Sequence, residues 1–366
     1  MKTETPTKTR VLIVDDSAVV RKLLGDVLRG EPDIEVVGSA ADPYIAADLI
    51  RIHEPDLLTL DLEMPRMDGL TFLRQLMQQR PMPVIVVSSA TQRGSAASIE
   101  ALRAGAIDVI PKPDGPRSVG QVGEIVKQRI RAVRGAGRIR MTPQAPAPPI
   151  ARPGRGKEPG VSAVRGQALG APGGIIAIGA STGGTQAIEA LLTRLPKDSP
   201  PIVVVQHMPA NFTRAFAERL DSVCPMRVTE AQAGDHLRRG IVHIAPGDFH
   251  MTVERFGVHL KIALQQTAPV HYQRPAVDVL FRSVAGLKNV PVVGVLLTGM
   301  GSDGADGMVA LRGAGAQTIA EDEQSCVVFG MPKEAIARGG AVHVATLLRM
   351  PGLIGECFAR LARSAA

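Results

Sequence analysis

Apolar residues in this chain come in short unbroken runs, and most runs end at a polar residue where the period changes from strand to helix. "RVLIVDD" (residues 10–16) is dense enough for a parallel strand buried on both faces. In the following "SAVVRKLLGDVLRG", Val20, Leu23, Leu24, Val27 and Leu28 share one helical face, and Ser17 is placed to cap it. The alternation continues through "IEVVGSA", a helix across "YIAADLIRIHE", the strand "DLLTLDL" and a helix across "LTFLRQLMQQR". It closes with "PVIVVSSA", "SIEALRAGA", "DVIPKP" and "VGEIVKQRIRAV". This succession of βα units predicts an α/β, doubly wound domain with a parallel sheet over residues 9–128.

A second block repeats the grammar over residues 173–364. "GIIAIGAS" leads into "GTQAIEALLTRL", and "PIVVVQHMP" leads into "NFTRAFAERL". "MRVTEA" and "IVHIAPG" read as shorter strands, and "MTVERFGVHLKIAL" reads as an antiparallel hairpin turning at Phe256–Gly257. "VVGVLLTGMG" is a further buried strand feeding "GADGMVALRGAGA". A second doubly wound, mostly parallel α/β domain is expected. Between the blocks, residues 129–172 contain "TPQAPAPPIARPGRGKEPG", dense in Pro and Gly and without apolar periodicity, which predicts a flexible linker.

Composition changes this picture in only a few places. The 366 residues leave room for two cores. The net charge of +7 suggests nucleic acid until it is located. Between Gly135 and Pro172 lie Arg138, Arg140, Arg152, Arg155, Lys157 and Arg165 against the single acid Glu158, so most of the excess belongs to the linker. With aromatics at 3% and no Trp, stacking platforms for single strands are absent too, and nucleic acid is not an expected partner. Cys224, Cys326 and Cys357 form no CxxC pair, which argues against a disulfide framework or a thiolate zinc site. "MKTETPTKTR" has no apolar core of a signal peptide, and no run approaches the ~18 residues of a membrane span. The expectation is a cytoplasmic protein that is not membrane-inserted.

The first block carries chemistry at its strand ends. Asp15 and Asp16 close the first strand and Asp61 the third, and in a parallel sheet such ends share one edge. Converging carboxylates call for a cation, and a hard oxygen-seeking ion such as Mg²⁺ fits. Ser88 and Lys112 fall on the same edge, a hydroxyl and an ammonium suited to a phosphoryl group on Asp61. A lone Asp at such a place is usually a helix cap; the set together is not. "VDDS", "LDLEMPRMDGL", "VVSS" and "PKP" resemble the response-regulator receiver family over residues about 9–128. The resemblance implies that Asp61 accepts phosphate from a histidine kinase, with Asp15, Asp16 and Asp61 around Mg²⁺ and with Ser88 and Lys112 sensing the phosphoryl oxygens. Where many receivers carry an aromatic switch, this chain has Val109 and Ile110.

The second block raises a serine question. Gly179-Ala180-Ser181-Thr182-Gly183 fits GxSxG between a strand and a helix, so Ser181 is either an exposed nucleophile or a helix cap. A P-loop fails for want of its lysine, and a Rossmann loop fails on spacing. Among the eight histidines, His207 ends the next strand and is the first candidate base, with His250 next. His243 flanks "IAPGDF" and could also line a site, while His53, His236, His259, His271 and His343 lie elsewhere or in ordinary strand and polar settings. For the orienting acid, Asp303 sits in the Gly-rich turn after "VVGVLLTGMG"; Asp306 reads as a helix cap and Asp278 as a helix start. Backbone N–H groups of Thr182 and of the Thr298–Gly301 turn, Met300 in particular, could form an oxyanion hole.

"IGASTGG", "QHMP", "IAPGDFHM", "LTGMGSDGADG" and "VFGMP" closely resemble the chemotaxis methylesterase (CheB) family over residues about 173–362. The resemblance implies hydrolysis of glutamate γ-methyl esters on methyl-accepting chemoreceptors with release of methanol, and in many members deamidation of receptor glutamines. It supports Ser181, His207 and Asp303 as the triad, implies no cofactor in the catalytic domain, and implies a receiver that covers the catalytic edge until phosphorylated. Ala276 stands where a serine is expected, and Glu321 where a glutamine is common. Two rival readings are a docking protein with an inactive serine and a regulator acting on DNA; the second lacks a helix-turn-helix segment.

Overall fold

The computed structural model describes residues 8–89, 91–112, 119–135 and 174–364. The expected linker lies outside the described residues from residue 136 on.

The first unit runs β1 (Thr9–Val14), α1 (Ala18–Arg29), β2 (Ile34–Ala40), α2 (Pro43–His53), β3 (Leu57–Leu60), α3 (Gly69–Gln79), β4 (Val84–Ser88), α4 (Gln92–Arg103), β5 (Asp108–Pro111) and α5 (Val119–Gly135). Its strands form one five-stranded sheet in the order β2-β1-β3-β4-β5, parallel throughout. The unbroken apolar runs have the reason proposed for them, because successive residues of β1 enter two different cores. Val11 and Ile13 pack with Leu24, Leu28, Val126 and Ile130 on the α1/α5 side. Leu12 and Val14 pack with Ile50, Phe72 and Leu102 on the other side. Each such side chain contributes roughly 1.5–3 kcal/mol by leaving water, so strand ends are held firmly. Ser17 caps α1, accepting from the Val20 N–H. Helix α5 takes in residues 129–135, which the sequence placed in the linker. It continues because Ile130 and Val133 extend its buried stripe and Arg131 pairs with Asp33 at 2.8 Å.

The second unit runs β6 (Ile175–Ala180), α6 (Gly184–Leu192), β7 (Ile202–Gln206), α7 (Phe212–Val223), β8 (Arg227–Glu230), β9 (Ile241–Ile244), β10 (His250–Phe256), β11 (His259–Gln265), α8 (Val277–Ala285), β12 (Val292–Leu296), α9 (Ala305–Gly313), β13 (Gln317–Glu321), α10 (Met331–Ala337), β14 (His343–Ala345) and α11 (Met350–Ser364). Seven strands form a parallel sheet in the order β14-β13-β12-β6-β7-β9-β8, and β10 and β11 form a separate antiparallel hairpin closed at Gly257. β6 therefore lies in the middle, with β7 on one side and β12 on the other. No helix among the described residues is long and apolar enough to cross a membrane.

The two units meet. Helix α4 packs on α7 and α6. The Gln186 amide donates to the carbonyls of Leu102 (2.8 Å) and Ala106 (2.9 Å), and Val327 packs against the α1/α5 core.

Candidate active site

At the C-terminal edge of the first sheet, β1 and β3 are neighbours, and the Asp61 N–H donates to the Val14 carbonyl at 2.8 Å. That pairing brings Asp15 beside Asp61. Lys112, following β5, reaches both, with Nζ 3.1 Å from Asp15 and 2.8 Å from Asp61. Burial pushes the Asp61 carboxyl up to about 6, with Lys112 resisting the rise and Asp15 adding to it. Burial also raises Asp15; burial opposes the Lys112 ammonium, but the carboxylates of Asp61 and Asp15 hold it above its usual range. Oxygens of Asp15, Asp16 and Asp61 lie within 4.8 Å of one another. Ser88, at the end of β4, is fully buried, and its hydroxyl has no hydrogen-bond partner among the described residues. All five residues expected from the sequence thus converge. Raised carboxyls and an unpartnered hydroxyl are what a pocket for a small divalent cation and an anion would show, and the donor set fits Mg²⁺.

At the C-terminal edge of the second sheet, β6 delivers Ser181, β7 delivers His207, and the turn after β12 delivers Asp303. His207 Nε2 donates to Asp303 Oδ2 at 2.7 Å, and both residues are buried. The same carboxylate accepts the N–H groups of Val277 (2.7 Å) and Asp278 (2.9 Å). Burial alone would raise Asp303; the His207 ring and these two N–H groups outweigh it and hold the carboxyl below its usual range. With Nε2 bound to Asp303, Nδ1 is the ring nitrogen whose lone pair is left for a proton.

Ser181 is not spent on capping. Helix α6 starts at Gly184, and its N-cap is Gly183 at φ +77°, without a side-chain cap. A side chain at Gly183 would also strike Val327, since its Cβ would lie 2.5 Å from Val327 Cβ. The Ser181 hydroxyl is buried and has no hydrogen-bond partner among the described residues, so the serine–histidine bond is not closed in this state. The Thr298–Gly299 turn presses on the serine, and a Cβ at Gly299 would sit 2.8 Å from Ser181 Cβ. Among the described residues, no backbone acceptor takes the N–H of Thr182 or Met300, which leaves both able to bind an oxyanion.

The alternative candidates are otherwise engaged. His250 accepts from the Ala276 N–H through Nδ1 (3.2 Å) and reaches the Ala268 carbonyl through Nε2 (3.1 Å). His243 is buried, and desolvation lowers it. Asp278 accepts the Gly307 N–H and pairs with His271 at 3.1 Å; burial raises its carboxyl. Asp306 does not cap α9, as the sequence suggested. The N-cap is Gly304, and Asp306 instead pairs with Arg338 at 2.6 Å, because its side chain faces α10 rather than the helix start.

Gln206 and Asp108 were given no role by the sequence reading; Thr298 was placed in the oxyanion turn, but its N–H donates to Glu321 (2.8 Å), and its carbonyl and hydroxyl do the positioning. Gln206, quoted within "QHMP" but given no role, donates to the carbonyls of Ser181 (2.8 Å) and His207 (3.2 Å). Thr298 accepts the Ser181 N–H at its carbonyl (3.0 Å), and its hydroxyl donates to the Thr182 carbonyl (3.0 Å). Asp108 on β5 accepts from the Thr182 hydroxyl at 3.0 Å and forms an ion pair with Arg129, Nε lying 2.8 Å away. The first unit therefore touches the residue next to the candidate nucleophile.

Comparison with known proteins places this geometry. A family model described as CheB methylesterase matches residues 176–354, and one described as response regulator receiver domain matches residues 11–121. A protein-glutamate methylesterase/protein-glutamine glutaminase of Bradyrhizobium diazoefficiens is 48% identical over 346 residues, 94% of each chain. One of Syntrophus aciditrophicus is 48% identical over 340 residues, 93% of this chain and 96% of its own. The crystal structure of the Thermotoga maritima CheB methylesterase catalytic domain shares 41% identity at a TM-score of 0.49, covering 51% of this chain and 99% of that one.

Proposed function

The chain belongs to the CheB methylesterase family, and on that premise we propose that it is a protein-glutamate methylesterase and glutaminase acting on chemoreceptors under control of its receiver. The observation that carries the catalytic half is the buried His207–Asp303 pair flanking the strand that ends at Ser181.

Ser181 Oγ attacks the γ-carbonyl of a glutamate methyl ester while His207 Nδ1 takes its proton. Asp303 holds the Nε2–H and stabilises the charged ring. The oxyanion is received by the N–H groups of Thr182 and Met300. Collapse expels methoxide, protonated by His207 to methanol, and leaves an acyl-serine. Water activated by the same imidazole then frees the glutamate and restores Ser181. With a glutamine side chain the leaving group is ammonia and the remaining steps are unchanged.

Control rests on the contact between units. Ser181 is only 2% exposed while Asp108 holds the Thr182 hydroxyl, so substrate has no access in this arrangement. A histidine kinase of the chemosensory pathway would supply the phosphoryl group for Asp61. Asp15, Asp16 and Asp61 would hold Mg²⁺, which would neutralise charge as the phosphoryl group arrives. Lys112 and Ser88 would then bind its oxygens. Lys112 and Asp108 share β5 and the residues just after it, so a shift of Lys112 from Asp61 to the phosphoryl group loads the same segment that holds Thr182. The equilibrium moves toward the open arrangement by as much as phosphorylation favours it. Such a protein would work in the cytoplasm, where kinase and receptor tails meet.

The test is methanol release from methylated receptor membranes by wild type and Ser181→Ala. Release that disappears in the variant supports the reading, and equal release from both contradicts it.

A further inference from the structure

Behind the nucleophile turn lies a carboxyl that the reaction above does not use. Glu321 ends β13, is fully buried, and accepts the Thr298 N–H through Oε2 at 2.8 Å. Among the described residues, no group lies in hydrogen-bonding geometry to its Oε1. Thr298 is the residue whose carbonyl takes the Ser181 N–H and whose hydroxyl holds the Thr182 carbonyl. Glu321, Thr298 and the Ser181–Thr182 turn are thus joined in series by hydrogen bonds.

Among the described residues, no cation pairs with this carboxyl. The groups beside it are Asp322, whose charge opposes ionisation of Glu321, and the Ser325 hydroxyl and Cys326 thiol, which favour the charged form without outweighing burial; burial keeps that thiol protonated. Its neighbour on β14 is Ala345, and His343 on that strand turns instead to Gln317. On the helices packed against β13, Asp306 and Glu334 are taken by Arg338. Arg360 and Glu356 of α11 act on His343 and Cys357. A charge on Glu321 would be buried without a counter-ion, a costly arrangement that favours the neutral acid.

We propose that Glu321 is a positioning residue that serves as a neutral acid, and that its ionisation turns the esterase down as pH rises. This rests on the esterase reading above. Two effects have the same sign. An anion behind Thr298 opposes the negative charge that develops on the substrate oxygen. An unpaired buried charge also draws in water or displaces Thr298, and Ser181 and Thr182 move with it. Burial pushes the Glu321 carboxyl up to about 7, so the change falls within the working range. A glutamine here would keep the acceptor for Thr298 without titrating.

The experiment compares kcat/KM for methanol release by wild type and Glu321→Gln, without phosphodonor, across about pH 6 to 8.5. The expected ratio of variant to wild type is near one at the acid end and about tenfold at the alkaline end, a factor of ten answering to ~1.4 kcal/mol. A ratio that stays flat with pH overturns the proposal, since a merely structural role would scale all points alike. Absence of any Ser181-dependent release from wild type sinks the esterase reading itself and is told apart by that variant. Should Glu321→Gln not fold, infrared titration of wild type with isotope-labelled glutamate decides. A protonated carboxyl band lost in step with activity supports the proposal. A carboxylate ionised over the whole range overturns it.

Discussion

His207 Nε2 and Asp303 Oδ2 lie 2.7 Å apart although they follow β7 and β12, strands separated in the sheet by β6. The bond arches over the end of the strand that carries Ser181. The three candidate triad residues therefore come from three adjacent strand ends, in the order Asp, Ser, His across the sheet and Ser, His, Asp along the chain.

Replacing Asp303 by Asn tests that bond. An amide can keep one acceptor but turns its NH₂ toward one of three donors: the His207 ring or the N–H groups of Val277 and Asp278. The expected loss in kcat is about 10³–10⁴-fold with little change in KM, the size seen when an orienting carboxylate is lost elsewhere. Steady-state methanol release provides the check, and a loss under tenfold would show that Asp303 does not orient the base.

Gln186 tests the contact between the units. Its amide makes two hydrogen bonds to carbonyls at the end of α4 and just beyond it. At ~1 kcal/mol each, Gln186→Ala should loosen the closed arrangement and raise release without phosphodonor by roughly five- to thirtyfold. The fully phosphorylated rate should stay within about twofold of wild type. Unchanged unstimulated release would remove this contact from the control mechanism.

Asp61→Asn should leave release without phosphodonor near the wild-type level and abolish any stimulation. Chelation of Mg²⁺ should give the same phenotype in wild type. Stimulation that survives in Asp61→Asn would place the phosphoryl group elsewhere.

Glu321 also leaves a mark on stability. Its carboxyl lies at 4.5 in the reference state and about 7 in the fold. Between these values the unfolded chain gives up the proton first, so stability from this group is intact below about pH 4.5 and declines as pH rises to about 7. The decline is of order 3 kcal/mol. Thermal unfolding of Glu321→Gln should therefore fall less steeply with pH than that of wild type, and parallel curves would refute the assignment.

Strand ends were legible because an apolar run that stops at Asp15, Asp61, Ser181 or His207 marks both a buried strand and the edge where it surfaces. The pairing of Asp303 with His207 was legible only through the motif around it, since nothing local to "GMGSDGADG" says that its strand lies beside β6. Gln206, and Thr298 in the positioning roles of its carbonyl and hydroxyl, were missed for a related reason. Each is an ordinary polar residue beside a functional one, and its role is set by which carbonyl the sheet brings within reach. Asp108 and Gln186 bridge two units whose docking leaves no trace in periodicity. Asp306 misled because an acid after a glycine turn looks like a cap; the neighbouring helix supplied Arg338 instead.

The central claim is that one chain couples the Asp61 pocket to the Ser181 edge through the contact at Asp108 and Thr182. Its most direct measurement is the rate of methanol release from methylated receptor membranes by wild type, with and without a small phosphodonor and Mg²⁺. The account requires release that rises about tenfold or more with the phosphodonor and that is lost in Ser181→Ala under both conditions. A rate indifferent to the phosphodonor, with Asp61 demonstrably phosphorylated, would contradict it.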